Sequence, residues 1–170
     1  MPEELILVDD KDNQIGTEEK MEAHRQGKLH RAFSIFIFNS NKEMLIHKRA
    51  GAKYHSGGLW TNACCSHPAP GEGTEEAAHR RLKEEMGFDC DLKEVTSFTY
   101  RAGLGELTEH EFDHVFVGFY DGEITPDKSE VEDFKYVKLD ELRHDIEKNP
   151  GKYTAWFIIA MEKVNWESVL

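Results

Sequence analysis

The stretch "HRAFSIFIFNSNKEMLIHKRA", His30 to Ala50, constrains the fold more than any other part of the chain. An apolar segment, a polar turn at Asn39 to Lys42 and a second segment ending in Lys48 and Arg49 read as a β-hairpin. Before it, "LILVDDKDNQIG" predicts two short strands around an Asp/Asn turn, and "TEEKMEAHRQG" predicts a helix with Thr17 as N-cap and Gly27 at its end. After it, "GTEEAAHRRLKEEMGF" predicts a helix from a Thr74 N-cap to a stop at Gly87, with two glutamates in its first turn. "SFTYRAG", "EHEFDHVFVGFYDG" and "FKYVKL" read as strands, followed by a short helix near Asp140 to Lys148 and a final helix from about Thr154. Strands and helices mix without strict alternation. The expected class is therefore α/β in the broad sense (α+β), a mixed β-sheet flanked by helices.

With 170 residues, no internal repeat and only short turn clusters, the sequence predicts a single compact domain over residues 1–170. A net charge of −12 opposes nucleic acid and anionic membranes as partners, so an anionic ligand would need a local basic cluster. The odd count of three cysteines, with no leader and no membrane-spanning apolar run, predicts free thiols and a cytoplasmic location.

"TNACCSHP", Thr61 to Pro68, poses the chemical question. Strand alternation would set Cys65 and His67 on one face and Cys64 on the other. By the same rule Glu109 and Glu111 in "LTEHEF" share a face opposite His110. Two inward carboxylates repel unless a cation sits between them. With His24, His30 and His67 they form a donor mixture suited to Zn²⁺ or Mn²⁺ rather than Ca²⁺. Lys20 and His24 lie on one helical face, as do Arg81 and Glu85.

"GEGTEEAAHRRLKEEMG" resembles the diphosphate-metal box of the Nudix superfamily, over about residues 66–88. Anchored on Gly87, the box places Glu84 and Glu85 at its closing glutamate pair, Arg80 at its arginine and Glu72 at its early glutamate. Ser66 replaces the opening glycine, and Arg81 stands where a glutamate should follow the arginine. That exchange opposes hydrolysis while leaving diphosphate binding intact. The runs "LHRAFSIFIFN", "LWTNACCSHP", "RRLKEEMG", "FTYRA" and "EHEFDHVF" are similar, in order and spacing, to the type I isopentenyl-diphosphate isomerase family, from about Leu5 to Trp156.

The resemblance implies a Nudix-type fold and reversible isomerisation of isopentenyl diphosphate to dimethylallyl diphosphate in isoprenoid biosynthesis. It implies Cys65 and Glu111 as the proton-handling pair, and Tyr100 and Trp156 as an aromatic wall. It implies one divalent ion, Mn²⁺, Zn²⁺ or Mg²⁺, on His24, His30, His67, Glu109 and Glu111, and a Mg²⁺ shared by Glu85 and the diphosphate. Lys20, Arg49, Lys53 and Arg81 match the family's diphosphate contacts and supply the basic cluster. Cys64 is expected to be a small buried filler. His55 stands where some relatives carry an aromatic. The resemblance leaves a monomer or weak homodimer open, as well as two other functions: a Nudix hydrolase of a nucleoside diphosphate derivative, and a non-enzymatic metal-binding domain.

Overall fold

A computed structural model describes residues 3–53 and 56–170, so His55 lies outside the described residues. The strands are β1 (Glu4–Val8), β2 (Gln14–Glu19), β3 (His30–Phe38), β4 (Glu43–Arg49), β5 (Trp60–Thr61), β6 (Cys64–Ser66), β7 (Lys93–Leu104), β8 (Leu107–Phe119) and β9 (Val131–Lys138). The helices are α1 (Lys20–Gln26), α2 (Thr74–Met86), α3 (Leu139–Lys148), α4 (Ala155–Lys163) and α5 (Trp166–Val169). All described strands join one mixed sheet with β3 at its centre. β3 runs parallel to β8 along its whole length and antiparallel to β1, β4 and β6.

Both faces of β3 are buried, which accounts for its unbroken apolar run. Phe33, Ile35 and Ile37 pack with Cys64 and Phe116 against Ala77, Ala78, Leu82 and Met86 of α2. Phe36 and Phe38 point the other way, with Val115 and Val117, against Phe157, Ala160 and Trp166 of the C-terminal helices. On this second face the apolar core gives way, toward the start of β3, to His30, Ser34, Glu109, Glu111 and Asp113, all buried.

Two helix starts differ from the expectation. α1 begins at Lys20 and not after Thr17, because β2 stays paired with β1 as far as Glu19, opposite Glu4. The Glu19 carboxylate then accepts from the N–H groups of Met21 and Glu22 and supplies the cap. α2 begins at Thr74 itself, with Gly73 in the cap position. Its stop is as expected: Gly87 has φ +75°, and a Cβ there would meet the Thr125 carbonyl oxygen at 2.1 Å. Among the described residues no helix is long and apolar enough to cross a membrane.

Candidate active site

The buried acidic and imidazole groups open into a cavity of about 650 Å³. It lies between the second sheet face, the N-terminus of α4 and the loop that leads into α2. Of the residues named from sequence, Cys65, His67, Lys20, Arg49, Lys53, Arg81, Glu85, Tyr100, Glu109, Glu111 and Trp156 line it. His24 and His30 do not reach its surface; both are fully buried beneath the wall. The thiol of Cys65 and the carboxyl group of Glu111 thus face one space.

The imidazoles form a compact group. Ring centroids of His24 and His30 are 5.2 Å apart, and those of His30 and His67 are 5.4 Å apart. His24 Nε2 lies 3.3 Å from a Glu109 oxygen, His30 Nε2 lies 3.2 Å from Glu111, and His67 Nε2 lies 3.9 Å from Glu111. Each outer nitrogen is engaged elsewhere: His24 Nδ1 at 2.7 Å from the Lys20 carbonyl, His30 Nδ1 at 3.0 Å from the Lys28 carbonyl, and His67 Nδ1 at 3.5 Å from Glu3. A carbonyl accepts only from an N–H, so the outer nitrogens of His24 and His30 carry protons, and in the neutral rings the inner nitrogens offer lone pairs to the cluster. Donor atoms of His24, His30 and His67, and of His30, Glu109 and Glu111, lie within 4.8 Å of one another. Imidazoles oriented from behind, facing two carboxylates, fit a divalent ion.

The charges respond to this crowding. Burial works against a charged His24, but Glu109 outweighs it and raises the ring's pKa. Burial lowers that of His67. Glu3 is held down at about 2, chiefly by its hydrogen bond to His67. Tyr100 is pushed up by burial and then by Glu111, so its hydroxyl stays protonated and donates to the Glu111 carboxylate. Burial pushes the Cys65 thiol well up, and Asp113 pushes it further. Cys65 rests as a neutral thiol.

At the other end of the cavity, Arg80 grips Glu72 with two hydrogen bonds of 2.7 and 2.8 Å and fastens the preceding loop to α2. Arg81 lies 2.6 Å from Glu84, 3.4 Å from Glu85 and 3.9 Å from Glu130. Burial opposes its charge, yet Glu85 and the other acidic neighbours keep its pKa above the usual arginine value. Lys53 is paired with Glu130. The Arg49 guanidinium lies 5.1 Å from the Trp156 ring centroid. These cations, with Lys20, form the basic cluster that an acidic chain needs to hold an anion.

Cys64 corrects the sequence reading. It is buried in the core as expected, but its thiol donates to Glu85 at 2.6 Å and so does more than fill space. Several site residues were missed. Asp113 continues the alternation of Glu109 and Glu111 on the same face and could have been found that way; it accepts from Ser34 at 2.8 Å. Ser34, Glu3 and Glu130 gave no sequence signal, since each acts through a partner distant in the chain; Asn62 lies inside the "TNACCSHP" stretch, but the sequence reading assigned it no role.

The NUDIX domain model matches residues 28–157 of the chain. The chain is 50% identical over 165 residues to isopentenyl-diphosphate Delta-isomerase 2 of Aromatoleum aromaticum, covering 96% of this chain and 87% of that protein. It is 51% identical over 163 residues to isopentenyl-diphosphate Delta-isomerase of Serratia proteamaculans, covering 95% and 91%. The chain belongs to the isopentenyl-diphosphate Delta-isomerase family. Solved structures agree on the fold of this family member. DR0079 from Deinococcus radiodurans superposes with a TM-score of 0.75 at 20% identity, over 86% of this chain and 90% of that one. A MutT protein from Methanosarcina mazei gives 0.67 at 16% identity, over 83% and 94%.

Proposed function

We propose that this isomerase family member interconverts isopentenyl and dimethylallyl diphosphate, with Cys65 and Glu111 as the two proton-handling groups. One observation carries the assignment of roles: the thiol and the carboxyl group line the same cavity, together with an indole, a phenol and basic side chains. The diphosphate would lie against Lys20, Arg49, Lys53 and Arg81, and the five-carbon tail would extend between Cys65 and Glu111.

Moving the double bond requires a proton added to the terminal alkene carbon, which leaves the positive charge on the branched carbon, and another removed from the carbon that lies between that cationic centre and the oxygen-bearing carbon. The intermediate is a tertiary carbocation. One group of the pair gives the first proton and the other takes the second, with their roles exchanged in the reverse direction. The pair carries one transferable proton: the donor starts protonated and the acceptor deprotonated, one proton enters the substrate as one leaves it, and the two groups end with their protonation states exchanged. Trp156 offers the negative face of its ring to the cation, worth about 2 kcal/mol when desolvated. Tyr100 orients Glu111, and the buried setting excludes water that would trap the cation as an alcohol.

A divalent ion, Mn²⁺, Zn²⁺ or Mg²⁺, would be held by His24, His30, His67, Glu109 and Glu111, and Mg²⁺ by Glu85 with the diphosphate; both would supply fixed positive charge. The test is incubation of the metal-loaded enzyme with isopentenyl diphosphate in D₂O, followed by NMR. Deuterium in the allylic product is expected. Release of phosphate without isomerisation would instead mark a hydrolase, against which Arg81 argues by occupying the place of a water-activating glutamate.

A further inference from the structure

Beneath the cavity wall runs a buried chain of polar groups that the reaction as described does not use. Asn62 is fully buried, and both of its amide hydrogens are committed, to the carbonyls of Ile35 at 2.9 Å and Cys64 at 3.0 Å. Its oxygen can therefore only accept, and its orientation is fixed. It receives the Thr61 hydroxyl at 3.0 Å and the Cys65 thiol at 3.1 Å. The Thr61 oxygen in turn receives the Thr154 hydroxyl at 3.0 Å, and the Thr154 oxygen receives the N–H of Phe157 at 3.3 Å. Thr61 and Thr154 are as deeply buried as Asn62.

Thr154 is the N-cap of α4, the helix whose second residue is Trp156. A backbone hydrogen bond of 3.0 Å from Thr154 to the Trp60 carbonyl lies beside the hydroxyl chain and ties the same two segments. Every donor along the chain points one way, from α4 to the amide oxygen, which also accepts from the Cys65 thiol; Ser34 Oγ, at 3.4 Å, is the more distant second acceptor for that thiol. No hydroxyl can turn round without leaving a buried acceptor or donor unmatched.

We propose that Asn62, Thr61 and Thr154 are positioning residues for this reaction: together they fix the Cys65 sulfur relative to the Trp156 indole, so that thiol and ring face the same point of the carbon tail. None of the three needs to touch substrate. The proposal deepens the isomerase reading and rests on the role given there to Cys65. Its logic is that reacting atoms held in place react faster, and that displacement by about 1 Å costs on the order of 100-fold.

The test compares Thr61→Val with Thr61→Ser, and Thr154→Val with Thr154→Ser, in the metal-loaded enzyme. Valine keeps the shape and removes the hydroxyl; serine keeps the hydroxyl. We expect each valine variant to lower kcat on the order of 10- to 100-fold. KM for isopentenyl diphosphate should stay within about twofold, because the diphosphate contacts are untouched. Each serine variant should recover most of kcat, and the alkylation rate of Cys65 by iodoacetamide, read by mass spectrometry, should change with valine and return with serine. A purely structural role would lower the melting temperature without this split. If one valine variant does not fold, the other pair decides by the same criteria; if neither folds, the hydroxyls serve the fold alone and the positioning proposal is overturned. Folded valine variants with wild-type kcat overturn the proposal. Failure of the underlying reading looks different, because Cys65→Ala would then remain active.

Discussion

Replacing Tyr100 by phenylalanine removes one oxygen atom from the site and leaves the ring in place. Tyr100 of β7 stands directly opposite Glu111 of β8 in the antiparallel ladder, where cross-strand side chains are in contact. Its hydroxyl donates to one oxygen of Glu111, while the other oxygen faces His30 at 3.2 Å. Glu111 is only 9% exposed, so water cannot readily replace the lost donor. A buried hydrogen bond to a charged group contributes about 1.5–3 kcal/mol. If that contribution holds Glu111 in its reacting position, kcat falls about 10- to 150-fold. KM should be nearly unchanged, since the lost hydroxyl is committed to Glu111. The measurement is initial-rate NMR in D₂O over a range of substrate concentrations. A Tyr100→Phe enzyme with kcat within threefold of wild type, or with a raised KM alone, would refute the reasoning.

Chelation should lower thermal stability: an ion present at 1,000 times its dissociation constant adds about 4 kcal/mol, or about 8–16 °C for a chain of this size, and calorimetry with and without EDTA measures it. An unchanged transition would argue against the His/Glu cluster as an ion site. Cys65→Ala should lose most turnover, whereas Cys64→Ala should keep it and lose about 1–3 kcal/mol of stability through the bond to Glu85; inactive Cys64→Ala beside active Cys65→Ala would reverse the assignment of faces. His47, buried in β4, has its pKa lowered from 6.5 to about 4, first by burial and then by Arg49. The folded state thus binds fewer protons than the unfolded one in that interval, so stability falls as pH drops from 6.5 toward 4, by about 3 kcal/mol from this ring. Urea titrations of His47→Gln should show a shallower fall, and equal slopes would refute the attribution.

Much of this arrangement was legible in the chain because its periodicities are local. Alternation placed Glu109 and Glu111 together and His110 apart, and the structure has His110 turned to the Gly27 carbonyl on the opposite side. It also separated Cys65 from Cys64, although only Cys64–Ser66 are paired as a strand and His67 follows it. The start of α1 was misplaced because a threonine resembles a cap in isolation, while pairing with β1 keeps that segment extended through Glu19. The parallel union of β3 with β8 had no local signature at all. Its partners are 81 positions apart, as is the His30–Glu111 contact that follows from it, and the Ser34–Asp113 pair is separated by 79.

Because β3 carries β6 on one edge and β8 on the other, Cys65 and Glu111 are anchored to opposite flanks of a single strand. The anchor points stand two strand spacings apart, roughly 10 Å, and the pairings Ser34 with Cys65 and His30 with Glu111 offset them four residues lengthwise, roughly 13 Å. Ladder hydrogen bonds set both dimensions, which makes this gauge as stiff as the sheet. A longer hydrocarbon could not be admitted by spreading it. Room would have to come from the roof, by lifting α4, so selection for chain length resides in how firmly that helix is seated.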